Sequence, residues 1–283
     1  MSGATNAADE RFKAFMIGNL GKAAETFGVT VVGEPRFGWF LRSVSARAEH
    51  PGRGVCWLRV HTESFVTAGG ETWTGNTDAE QITAVAKPHV LKFDDWDDQT
   101  WGRSQRAELT TFVRQSPASD DEFAPVPLEV PSRWWGDLRQ NLRNLAPAET
   151  ERRRVTQAEI TRRIRVFWGD LIDPTVRDWR CAHGDLHWSN ITAPEVVLLD
   201  WEHWGMAPLG YDPATLLSFS LLNTSAANEV RAEFAEELDS RDGRIAQLTV
   251  IARLLLRAEA GEFPELVAPL HRQAQAALSG LRG

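Results

Sequence analysis

Apolar residues recur at three- and four-residue steps through Phe12, Phe15, Met16, Leu20, Ala23 and Phe27, with polar residues between them. That period stacks side chains on one helical face, so it predicts an amphipathic helix over residues 7–27, which Gly28 is placed to end. The pattern then changes. Val29-Thr30-Val31-Val32 is β-branched, Trp39 to Ala48 is strand-like, His50-Pro51-Gly52-Arg53-Gly54 is turn-forming, and Val55 to Val60 is strand-like again. These segments predict a short antiparallel meander. A short helix is expected over residues 77–85 and a further strand from Lys87 to Phe93. The acidic run Asp94-Asp95-Trp96-Asp97-Asp98 reads as a solvated loop, with capture of a cationic substrate as the sharper alternative. Glu108 to Val113 fits a strand and a helix about equally.

Gln115 to Pro131 is rich in Pro, Ser and Asp and marks a linker. Beyond it the pattern is helical. Arg133 to Leu145 places Trp134, Leu138, Leu142 and Leu145 on one face. Thr150 to Leu171 is expected as a second helix, with Arg152, Arg153, Arg154, Arg162, Arg163 and Arg165 on a solvated face. Two short strands, one of them Val196 to Leu199, flank residues 183–190, and from Pro213 onward the helical period returns. The order predicts an α+β chain in two lobes. Residues 1–122 form a lobe around a small antiparallel β-sheet, residues 123–283 a larger, mainly helical lobe, with a ligand cleft expected between them.

A net charge of −8 gives no basic face for nucleic acid. Two cysteines, Cys56 and Cys181, suit a reducing compartment rather than a disulfide framework. The N-terminus lacks the basic flank and apolar stretch of a signal peptide, and no run reaches the length of a membrane span. A soluble, cytoplasmic protein without membrane partners is the expectation. Twelve Trp are expected mostly in the core.

The segment that carries chemistry is His183-Gly184-Asp185-Leu186-His187-Trp188-Ser189-Asn190. Asp185 and Asn190 are five residues apart, and Asp200 follows ten residues later at the end of an apolar stretch. A kinase catalytic loop has the same Asp-to-Asn spacing and a later metal-binding Asp. The chemistry explains the residue types. A carboxylate such as Asp185 accepts a hydroxyl proton and orients the oxygen. Dense phosphate charge calls for Mg²⁺, and Mg²⁺ takes hard oxygen ligands, which the Asn190 amide and the Asp200 carboxylate supply. His183 and His187 also suggest zinc, but no cysteine or glutamate completes that set.

HGDLHWSN followed by LLDWE resembles the aminoglycoside phosphotransferase and choline kinase superfamily, with its protein-kinase-like fold; Gly210-Tyr211-Asp212 is similar to that family's downstream Gly-x-Asp segment. The resemblance is clear over residues 181–217. It implies Asp185 as catalytic base, Asn190 and Asp200 as Mg²⁺ ligands, His183 and His187 as loop architecture, and Asp212 as a support behind the loop. It implies ATP or GTP as phosphate donor and a small-molecule hydroxyl as acceptor, an antibiotic (for self-resistance) or a hydroxylated metabolite. The N-terminal half departs from the pattern. It has no Gly-rich phosphate loop, and Arg59 stands where a phosphate-binding Lys is expected, with Lys92 as a substitute and Glu80 as an ion-pair partner. Trp188, Trp201 and Trp204 are candidates for acceptor-pocket walls or for packing, and Asp239, Asp242 and Glu262 for acceptor contacts. A nucleotide-binding pseudo-kinase acting as regulator or scaffold is the alternative. A protein kinase ranks lower, because Trp201-Glu202 replace the Phe-Gly that would open an activation loop.

Overall fold

The computed structural model describes residues 2–282, with side chains from residue 7 onward. The chain divides into two compact units, residues 1–80 with 88–114, and residues 81–87 with 115–283.

In the first unit, helix α1 (Ser2–Phe27) precedes strands β1 (Thr30–Phe37), β2 (Ser43–His50) and β3 (Gly54–Ser64), helix α2 (Glu71–Asp78), and strands β4 (Val90–Asp98) and β5 (Arg103–Thr111). The five strands form one antiparallel sheet in the order β1-β2-β3-β5-β4. Strand alternation sorts its faces. Val44, Ala46, Ala48, Cys56, Leu58, Val60, Ala107 and Leu109 pack against Met16, Leu20, Ala23, Ala24 and Phe27 of α1. The residues between them, among them Arg59, His61, Arg106 and Glu108, point to the other face. That face holds a buried polar cluster in which Arg106 donates to Glu108, Asp95 and Thr77, and Asn76 donates to Glu108.

The second unit begins with β6 (Ser116–Pro117), then α3 (Ser132–Leu145), α4 (Gln157–Trp168), β7 (Trp179–Ala182), β8 (Thr192–Ala193) and β9 (Gly205–Pro208). Five helices follow: α5 (Tyr211–Ser220), α6 (Thr224–Glu233), α7 (Ala235–Asp239), α8 (Arg241–Glu259) and α9 (Val267–Arg282). β7 pairs with β9, and β6 with β8. Every residue of α5 is buried, and its hydroxyls are satisfied along the helix, Thr215, Ser218 and Ser220 each donating to the carbonyl four residues back. Among the described residues no helix is long and apolar enough to cross a membrane.

Several sequence expectations are corrected. The helix expected at 77–85 lies upstream at Glu71–Asp78, followed by a single 3-10 turn at Ala79–Gln81. Trp39–Leu41 is a turn rather than strand, with Phe40 and Leu41 at positive φ. The acidic run is no loop. Asp94 to Asp98 complete β4, where Asp95 pairs with Arg106 and Asp97 accepts from Ser104. The helix expected from Thr150 starts only at Gln157, behind a capping box of Thr156 and Glu159. Residues 152–154 instead run beside β9. Arg152 is consequently buried, donating to the carbonyls of Glu202 and Trp204, and its place on a solvated face is overturned. Val196 to Leu199 forms a single bridge, Ile191 to Leu198, not a strand.

Cys56 and Cys181 are free and buried. Burial raises the Cys56 pKa; burial, reinforced by the neighbouring Asp212 carboxylate, pushes Cys181 up to about 12. The thiolate is the reactive form. A chromogenic disulfide reagent at mildly alkaline pH should therefore find no thiol in the native protein and both thiols after guanidinium denaturation. Rapid native labelling would contradict this packing.

Candidate active site

β7 delivers the chain into the loop of residues 183–190, and the first turn of α5 fixes it there. The Asp212 carboxylate accepts the backbone N–H of His183 at 2.7 Å and of Gly184 at 2.8 Å. Burial raises the Asp212 pKa, while the nearby His183 and these two amide bonds oppose that shift. Gly184 has φ +83°, a left-handed conformation that favours glycine, and a Cβ there would collide with the His203 carbonyl and the Arg154 side chain. Arg154 packs in the space this leaves, donating from Nε to the Gly184 carbonyl at 2.6 Å.

His183 is fully buried, and burial lowers its pKa, so the ring is neutral. Its Nε2 donates to the Leu199 carbonyl at 2.8 Å, and its ring meets Trp201 edge to face. It ties the loop to the stretch before Asp200. Trp188, Trp201 and Trp204 are all buried, with Trp188 stacked on Trp134 and donating to Ser220 Oγ. They are packing residues behind the loop.

Asp185 is less enclosed, its side chain keeping 22% of its exposure. Burial alone would raise its pKa. The His187 ring at 3.5 Å and the Arg253 guanidinium at 3.1 Å override that and hold the carboxyl well below the usual range. At neutral pH Asp185 is thus a charged acceptor, suited to receiving a hydroxyl hydrogen bond. Asn190 closes the loop. Its Nδ2 donates to the Asp185 carbonyl at 3.0 Å and lies 3.1 Å from His187 Nε2, leaving the amide oxygen for a cation. His187 Nδ1 in turn contacts Ser189 Oγ at 3.0 Å.

The Asn190 carbonyl accepts the Leu199 N–H at 2.9 Å, so Asn190 and Asp200 lie on adjacent segments. Asp200 has φ +59°, which Asp tolerates better than most residues. An amide oxygen and a carboxylate, with phosphate oxygens and water completing the shell, fit Mg²⁺. Among the described residues no three His, Cys, Asp or Glu gather as a metal site, so the zinc alternative has no ligand set.

The other candidates make contacts of their own. Arg59 is half-buried on the polar face of β3, across from Glu108. Lys92 lies across from Leu109, on the α1 face, and donates to the Phe27 carbonyl at 3.3 Å. The two are on opposite faces of the sheet. Glu80 accepts from the Val90 N–H and contacts His89. Asp242 is structural, accepting the N–H groups of Arg177 and Asp178, while Asp239 pairs with Arg244 and Glu262 with Arg257. Sequence reading missed Arg154 and Arg253. Arg154 precedes the helix on which sequence reading placed it, and Arg253, an arginine on an otherwise ordinary helix, carries no local signal.

No curated protein sequence matches the chain. Solved structures do. The aminoglycoside phosphotransferase APH(4)-Ia, crystallised as a thermostable mutant with ADP and hygromycin B, is 13% identical, covers 92% of this chain and 97% of its own, and gives a TM-score of 0.60. An amicoumacin kinase in complex with AMP-PNP and Ca²⁺ is 12% identical over 99% of this chain and 96% of its own, with a TM-score of 0.55. Choline kinase from Cryptosporidium parvum is 10% identical over 90% and 89%, with a TM-score of 0.56. These likenesses show the two-lobed, protein-kinase-like α+β fold. The profile described as the phosphotransferase enzyme family matches residues 108–255, just over half of the chain and all of the loop described above. The chain belongs to that phosphotransferase enzyme family.

Proposed function

We propose that this protein transfers the γ-phosphate of ATP or GTP to a hydroxyl of a small molecule, an antibiotic or a hydroxylated metabolite. The observation that carries the reading is one hydrogen-bonded unit. Asn190 is bonded to the Asp185 backbone, and its own carbonyl is paired with the residue preceding Asp200.

In this reading the acceptor hydroxyl donates to the Asp185 carboxylate, which holds the oxygen in line with the γ-phosphorus. The acceptor oxygen forms the new P–O bond and the bond to the β,γ-bridging oxygen breaks. Nucleoside diphosphate leaves, and the hydroxyl proton passes to Asp185. Asn190 and Asp200 would hold Mg²⁺, which when bound neutralises phosphate charge. On the sheet, Arg59 and Lys92 are the candidates for a phosphate contact, the Lys92 ammonium also donating to the Phe27 carbonyl at the end of α1. Complexes of the structural neighbours with ADP and AMP-PNP support a nucleotide donor.

Asp185→Ala should lower turnover by roughly 10²–10⁴-fold, the range for a positioned acid or base, with the folded far-UV spectrum retained. The measurement is nucleotide consumption over a panel of hydroxylated acceptors, and undiminished turnover would sink the assignment. Asp200→Ala should abolish the Mg²⁺-dependent part of nucleotide binding in calorimetry. Equal affinity with and without Mg²⁺ in both proteins would remove Asp200 from the metal site.

A further inference from the structure

The Arg253 guanidinium, on α8, spends one donor on Asp185, Nη1 to Oδ1 at 3.1 Å. Its Nε and Nη2 are buried and have no hydrogen-bond partner among the described residues. The same holds for the Tyr211 hydroxyl at the start of α5 and for Nη1 of Arg163 on α4. Arg154 joins this group. Its guanidinium lies 5.6 Å from the centre of the Tyr211 ring. Two guanidinium groups, those of Arg154 and Arg253, therefore bond to the catalytic loop. Of their donors, one is taken by Asp185 and one by the Gly184 carbonyl.

A buried donor without an acceptor costs free energy. The planar fork of an arginine is shaped to meet an oxyanion. Arg253 already touches the carboxylate that orients the acceptor hydroxyl, so a ligand group meeting its remaining donors sits beside that hydroxyl. A polycationic acceptor would instead bring like charge against the cluster.

We propose that Arg253 receives an oxyanion of the acceptor, a carboxylate or phosphate group carried next to the hydroxyl that is phosphorylated. This inference rests on the phosphotransferase reading above. Arg253 is then a substrate-contacting residue that selects hydroxylated anions over hydroxylated cations.

The test is thermal unfolding of the full chain with Mg²⁺ and AMP-PNP present, so that the nucleotide site is filled. The probes are D-glycerate, with hydroxyls beside a carboxylate, inorganic phosphate, choline, and sodium chloride at matched ionic strength. At about 10 mM probe, D-glycerate or phosphate should raise the wild-type Tm by ~2 °C or more, and choline and chloride should not. A larger rise with D-glycerate assigns the oxyanion as a carboxylate, and a larger rise with phosphate assigns it as a phosphate group. Arg253→Gln should lose the rise and Arg253→Lys keep part of it, each variant checked for its far-UV spectrum; if Arg253→Gln does not fold, the weakened rise in Arg253→Lys carries the comparison. The inference is overturned if neither anion stabilises the wild-type protein, if folded Arg253 variants respond as the wild type does, or if choline stabilises more than the anions. Mg²⁺ with AMP-PNP alone tests the underlying reading separately. A nucleotide shift without an anion shift removes only the oxyanion site, whereas no nucleotide shift removes the phosphotransferase reading itself.

Discussion

The loop of residues 183–190 depends on one buried carboxylate. Asp212 accepts two consecutive backbone N–H groups, those of His183 and Gly184, both buried. Without it each donor would be stranded away from water, at about 1–3 kcal/mol apiece. The residue before Asp185 is glycine in a left-handed conformation, closed in by His203 and Arg154. The direction of Asp185 follows from that turn. So does the place of Asn190, whose amide is bonded to the Asp185 carbonyl.

Charge balance around the loop follows from the same anchoring. Asp185, Asp212, Arg154 and Arg253 converge within one unit, and burying any of them alone would be costly. Pairing resolves the cost differently for each. Asp212 is satisfied by backbone, and burial is the main influence on its pKa. Asp185 is held ionised by His187 and Arg253 against the same desolvation. Two carboxylates near one loop thus have opposite pKa shifts, one bonded to backbone and the other paired with His187 and Arg253.

What the sequence revealed reflects how local each feature is. Asp185, Asn190 and Asp200 lie within 16 residues, and their types at that spacing suffice to suggest the reaction. The amphipathic α1 was legible for the same reason, since its period is written in consecutive turns. The acidic run at Asp94–Asp98 was misread because its place in a strand comes from partners elsewhere, Arg106 and Ser104 on β5. Arg152 and Arg154 looked like a solvated helix face. Yet Thr156 and Glu159 spell a capping box that starts the helix after them, a signal present in the sequence and overlooked. Arg253 had no such signal, because it meets Asp185 across 68 residues of chain.

That separation bears on how the site distributes its tasks. In the proposed reading, base, amide and carboxylate come from one short loop and the segment paired with it. In the same reading, acceptor recognition falls to residues near the loop, and Arg253 of α8, bonded to Asp185, joins the two tasks. Replacing it with a neutral side chain to admit a cationic acceptor would also release one of the groups that orient Asp185 and hold it ionised. On the proposed reading, the charge of the acceptor and the geometry of the base cannot be tuned independently.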